Sequence, residues 1–145
     1  MNKSLLCVIV CFLIFVPVFL SAQVAAELET ILESPVISCA QAARFVFASQ
    51  GITHQVAFDT AMERGWLPHN AAPDDPITLG SLSFLIMQAF DIKGGMMYAI
   101  VPGPRYAFRT MVSRSLIQGA ADPAMTVSGE RFLHILGNVL STVGG

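Results

Sequence analysis

Asp75-Pro76-Ile77-Thr78-Leu79-Gly80-Ser81-Leu82-Ser83-Phe84-Leu85-Ile86 is the stretch whose reading decides the fold. Aspartate and proline make a turn and threonine caps a helix, while Leu82, Leu85, Ile86, Ala89 and Phe90 recur at helical spacing. The same order returns as Asp122-Pro123-Ala124-Met125-Thr126, followed by Val127-Ser128-Gly129-Glu130-Arg131-Phe132-Leu133-His134. Ile77, Thr78, Phe84 and Leu85 map onto Met125, Thr126, Phe132 and Leu133 at a constant offset of 48. An amphipathic stretch ending in glycine, at Gly65 and at Gly119, precedes each copy. Two such helix–loop–helix units predict a helical-repeat architecture in which neighbours bury each other's apolar faces.

Working outward, the other elements also read as helices. Ser34-Pro35 predicts a helix start, with Cys39, Ala43, Val46 and Phe47 on its apolar stripe and Gly51 as its stop. Thr53 predicts the cap of a second helix that runs to Arg64 and ends at Gly65. Trp66 to Pro76 holds three prolines and reads as loop. After Lys93-Gly94-Gly95, the run Met96 to Val101 fits either a short extended segment or another helical turn. A fourth helix is expected from Arg105 to about Ile117, with Phe108, Val112 and Leu116 on one stripe. Thr126 or Ser128 caps a fifth that ends near Ser141. The expected fold is all-α, with about five helices in a compact domain of two clear helix–loop–helix units plus an N-terminal helix.

The N-terminus carries an address. Lys3 precedes an uncharged run from Leu5 to Leu20, and small residues follow up to Ala26. This three-part layout is that of a secretory signal peptide over residues 1–26, which leaves 27–145 as one domain. The run spans about 24 Å as a helix, short of a ~30 Å hydrocarbon core. Without Lys3, seven basic residues face ten acidic ones, so no basic footprint for nucleic acid exists. Cys7 and Cys11 leave with the signal, and Cys39 is then the one remaining thiol. Val36-Ile37-Ser38-Cys39 looks superficially like a lipidation box, but three glutamates separate it from the apolar run. A buried helix position accounts for Cys39 more simply.

A helix, a glycine-ended turn, an Asp-Pro loop and a threonine opening a second helix together resemble the S-layer homology module. The resemblance covers about residues 55–92 and 107–141 and rests on Asp75, Pro76, Thr78, Asp122, Pro123 and Thr126. It implies a helical assembly of three such units that attaches exported proteins to cell-wall polysaccharide, with the Ser34 to Gly51 helix as remnant of a third. The family opens its second helix with threonine, arginine, alanine and glutamate. Only the threonine is kept here, so the arginine that would contact an anionic glycan is missing from both copies.

Candidate site residues lie elsewhere. Arg105 and Arg109 are four apart on one helix, beside Tyr106 and one turn before Arg114, a set able to clamp a carboxylate or phosphate. The competing role is a core Tyr106 with arginines paired to Asp91, Asp122 or Glu130. Trp66 reads as a sugar-stacking ring or as a plug for the preceding helix end. Asp74-Asp75 lacks the further ligands of a calcium loop, and His54, His69 and His134 have no metal-ligand spacing. Neither a nucleophile elbow nor a glycine-rich phosphate loop is present. The sequence therefore reads as a non-enzymatic module without metal or cofactor, exported to the periplasm, cell envelope or beyond. Its expected partner is an envelope protein or a cell-wall polysaccharide, with self-association possible and no nucleic acid. The alternative is a periplasmic carrier of a small apolar or amphipathic ligand between helices.

Overall fold

The computed structural model describes residues 25–51 and 56–145, among which seven α-helices and no strand are found. Residues 25–33 form α1. The others are α2 (Cys39–Ala48), α3 (Ala57–Glu63), α4 (Leu79–Ala89), α5 (Met96–Ile100), α6 (Pro104–Ser113) and α7 (Gly129–Val143). The expected all-α class holds, but the count of about five is corrected by two: α1, and α5, where Met96 to Val101 takes the helical alternative. The chain divides into two compact units, Met1–Glu33 and Ser34–Gly145. In the first, α1 exposes Leu28 and Leu32, and Thr30 bonds back to the Ala26 carbonyl. The signal-peptide reading falls almost wholly on residues 1–24, and the Thr53 cap on 52–55, outside the described residues. No helix among the described residues is long and apolar enough to cross a membrane.

In the second unit, the segments leading into α2, α4 and α7 meet in one junction. Each of these helices has a hydroxyl N-cap: Ser38, Thr78 and Ser128 accept from the amides of Gln41, Ser81 and Arg131. At Ser38 the bond is reciprocated by the Gln41 side chain, a complete capping box. The first free amides of each helix then bond to a neighbouring segment. Cys39 and Ala40 donate to Asp75 and Pro73 (2.9 and 3.0 Å), Leu79 and Gly80 to Met125 and Pro123 (2.8 and 2.9 Å), and Gly129 to Ser34 (2.9 Å). Helix-initial N–H groups that would otherwise lack partners are satisfied in this way. Ile37 donates to Val127 and Ile77 to Ile37, and all three side chains have no solvent exposure. Isolated antiparallel bridges, Ser38 with Pro76 and Thr78 with Thr126, complete the junction.

One helix start is therefore corrected, and one open choice is resolved. α2 begins after Ser38, not at Ser34-Pro35, because Ser38 owns the capping box. α7 is capped by Ser128, while Thr126 pairs with Thr78. Aligned on their caps, α4 and α7 lie 50 residues apart rather than 48. The same offset fits the helices before them. Ala57, Phe58, Thr60 and Arg64 of the α3 region are identical to Ala107, Phe108, Thr110 and Arg114. α3 ends with Gly65 bonding to Met62 and Trp66 to Ala61, whereas α6 ends with Ser115 bonding to Val112 and Leu116 to Met111. Both are the paired terminal bonds of a Schellman motif. Gly65 (φ 68°) and Ser115 (φ 59°) hold the left-handed position, so Ser115, not Gly119, is the counterpart of Gly65.

The core fills the space between these helices. α4 packs on α6 and α2, and α2 on α3. Leu82, Leu85, Ile86 and Met87 of α4 are fully buried, as are Phe47 of α2, Met111 of α6 and Phe132 and Ile135 of α7. Each such side chain contributes about 1.5–3 kcal/mol by leaving water. Val112, expected on the buried stripe of α6, is 40% exposed; Ala107, Phe108, Thr110 and Met111 form that face.

Candidate functional site

A groove of about 580 Å³ runs between the Gly94–α5 segment and α6. One wall is Gly94, Gly95, Met96, Met97 and Tyr98; the other is Tyr106, Arg109, Thr110, Ser113 and Arg114. The second wall follows from helix geometry, because residues 106, 109, 110, 113 and 114 share one face at spacings of three and four. Proline at N1 fixes the start of α6. The first wall is held by Tyr98, whose hydroxyl accepts from Gln88 Nε2 at 2.9 Å and whose ring meets Phe84 edge-on at 6.3 Å. Gly94 permits this: a Cβ there would come within 2.5 Å of Tyr98 Cβ and Cγ. Burial raises the Tyr98 pKa, and nearby Asp91 adds to the rise against the Gln88 hydrogen bond.

Arg114 is fixed at the end of the groove, donating to the Lys93 carbonyl at 2.5 Å. Arg109 is exposed and forms no hydrogen bond or ion pair with another described residue. Asp91, expected as an arginine partner, binds Lys93 instead at 2.7 and 2.9 Å. Thr110 and Ser113 donate their hydroxyl protons to the carbonyls of Tyr106 and Thr110, so neither has a proton left to give a ligand in this arrangement. The lining holds two guanidinium groups and no carboxylate, imidazole or thiol. Such a wall attracts an anion.

Of the residues singled out in the sequence, Tyr106, Arg109 and Arg114 come together here, and Arg105 and Trp66 do not line the groove. Trp66 stacks on Phe47 with ring centroids 5.6 Å apart, and the Arg64 guanidinium lies 4.9 Å from its ring. It covers the buried Phe47 after the α3 terminus. The Asp-Pro residues serve the junction. Asp75 accepts from the Ala72 amide and Asp122 from the Ala124 amide, local turns that shape the loops. Pro76 pairs with Ser38, and the Pro123 carbonyl receives the Gly80 amide. Leu79 is fully buried where the resemblance would put an arginine. His134 is exposed beside Asn138. Cys39 is buried, and desolvation first, then Asp75, raises its pKa.

No group of three or more His, Cys, Asp or Glu side chains able to hold a metal occurs among the described residues. Sequence reasoning missed the Gly94–Tyr98 wall, whose signal was the Gly-Gly pair followed by Met-Met-Tyr. Compared with known proteins, the chain matches no family model, no curated protein and no solved structure.

Proposed function

We propose that this protein is a non-catalytic cell-envelope module, exported by its N-terminal segment, that docks on an envelope partner through the groove between α5 and α6. The observation that carries this reading is the groove itself: an open surface with two arginines, two tyrosines and two methionines. The scaffold is read as three related units whose second helices are α2, α4 and α7. Three hydroxyl caps, the amide bonds linking neighbouring segments, and the fifty-residue correspondence of Ala57, Phe58, Thr60 and Arg64 with the α6 region support that reading. They extend the resemblance to the S-layer homology module. The buried Leu79 and the glycine at 129 leave no arginine at the helix start, so partner binding is assigned to the groove instead.

The test is co-sedimentation of the protein with purified cell-wall sacculi and with envelope membranes, beside the variant Arg109→Ala/Arg114→Ala. Retention of the parent protein and its loss in the folded double variant support docking through the groove. Absence of retention on either material, or retention that ignores both substitutions, overturns it. A carrier would need an enclosed apolar cavity between helices; this groove is open to solvent and cationic.

A further inference from the structure

We infer that the groove takes an acidic, partly apolar peptide segment, with a carboxylate on Arg109 and Arg114 and an adjacent apolar side chain on Met96 and Met97. The inference rests on the docking function proposed above and names the chemistry of the partner. Charge is the first argument. Arg109 has no partner among the described residues, Arg114 is preset by the Lys93 carbonyl, and Asp91, beside Tyr98 on the facing wall, is already paired with Lys93. A fixed and a free guanidinium on one wall favour a concentrated anion.

The opposite wall favours an apolar neighbour. Met96 is 79% and Met97 51% exposed, and Ile100 and Val101 continue the apolar surface beyond them. Methionine side chains adapt to varied apolar shapes and recur on peptide-binding surfaces. A carbohydrate chain asks for something else, a set of free planar polar groups matched to ring hydroxyls. The lining contains no Asn, Asp, Glu or Gln, and the Thr110 and Ser113 hydroxyl protons are spent on backbone carbonyls, which leaves the Tyr98 and Tyr106 hydroxyls as its hydroxyl donors. The amides of Gly94 and Gly95 donate to no described residue, which leaves main-chain donors along the wall for a peptide carbonyl or carboxylate.

The probe is a fluorescein-labelled hexapeptide of alternating Asp and Leu, titrated by fluorescence anisotropy into the protein. Its Asn/Leu counterpart and a tri-galacturonate competitor run beside it. The inference expects saturable binding to the Asp/Leu peptide, weakened about tenfold or more by Arg109→Ala and by the Asn/Leu exchange. Arg109→Lys recovers only part of it, because lysine lacks the bidentate fork. Equal binding of the two peptides, or no effect of Arg109→Ala, overturns the peptide assignment. Peptide failure with arginine-dependent binding of tri-galacturonate or sacculi replaces the peptide by an acidic glycan and keeps the docking function. Failure of every anionic probe together with sacculi and membranes overturns both. Circular dichroism confirms that each variant is folded.

Discussion

Gly94→Ala is the substitution whose cost the structure specifies most fully. The added methyl would sit within 2.5 Å of Tyr98 Cβ and Cγ, and the Cβ is a root atom that no side-chain rotation moves away. The segment must shift, and Tyr98 then loses its bond from Gln88 and its edge contact with Phe84. A neutral hydrogen bond contributes about 0.5–1.5 kcal/mol and an aromatic pair about the same. The reduced freedom of the unfolded chain returns about 0.4–1 kcal/mol. The net loss is about 1–2 kcal/mol, a fall in Tm of roughly 4–8 °C for a domain of this size. Thermal unfolding followed by circular dichroism measures it. The control is the same change in a Tyr98→Ala background. With the ring and its two contacts gone, Gly94→Ala should cost far less there, and the double-mutant cycle should show a coupling of about 1 kcal/mol or more. Additive effects of the two substitutions would refute the close approach and with it the geometry of that groove wall.

Ser115→Gly is expected to stabilise the fold by about 0.5–1 kcal/mol, because glycine carries no penalty at φ 59°; chemical denaturation checks it. Leu82→Ala in the fully buried face of α4 should cost about 2–5 kcal/mol, whereas Leu140→Ala, 41% exposed, should cost well under 1 kcal/mol by the same assay. Stability should also fall in alkali. The folded pKa values of Cys39 and Tyr98 are raised from ordinary values of 9.0 and 10.0, so the unfolded chain releases these protons first. The contribution is intact below about pH 9 and lost as pH rises through the folded values. Urea midpoints on either side of that range measure the loss, and Cys39→Ala should make the curve flatter there.

The helical class was legible because Thr78, Gly51 and Gly65 perform in space the capping and stopping roles their chemistry dictates. The register between the two similar stretches was not. Matching threonine to threonine gave 48, yet Thr126 spends its backbone on Thr78 while Ser128 takes the cap. The fifty-residue offset of the caps was also present in Ala-Phe-x-Thr-x-x-x-Arg at 57 and 107, masked because serine stands at 115 where glycine stands at 65. α5 was ambiguous for a plain reason. The six residues between Gly95 and Pro102 carry no apolar–polar periodicity, and none of them is buried. The same ambiguity hid half of the candidate site. Tyr106, Arg109 and Arg114 could be grouped from helical spacing, but their facing wall depends on the Gly94–Tyr98 approach, which local sequence does not encode.

Site-specific photo-crosslinking in the living cell tests the central claim most directly. A benzophenone side chain is placed at Ser113 in the groove and, as control, at the exposed Glu63 of α3. Docking through the groove predicts an envelope adduct from position 113, absent from position 63, that disappears with Arg109→Ala. No adduct at 113, or the same adduct from both positions, would contradict the account.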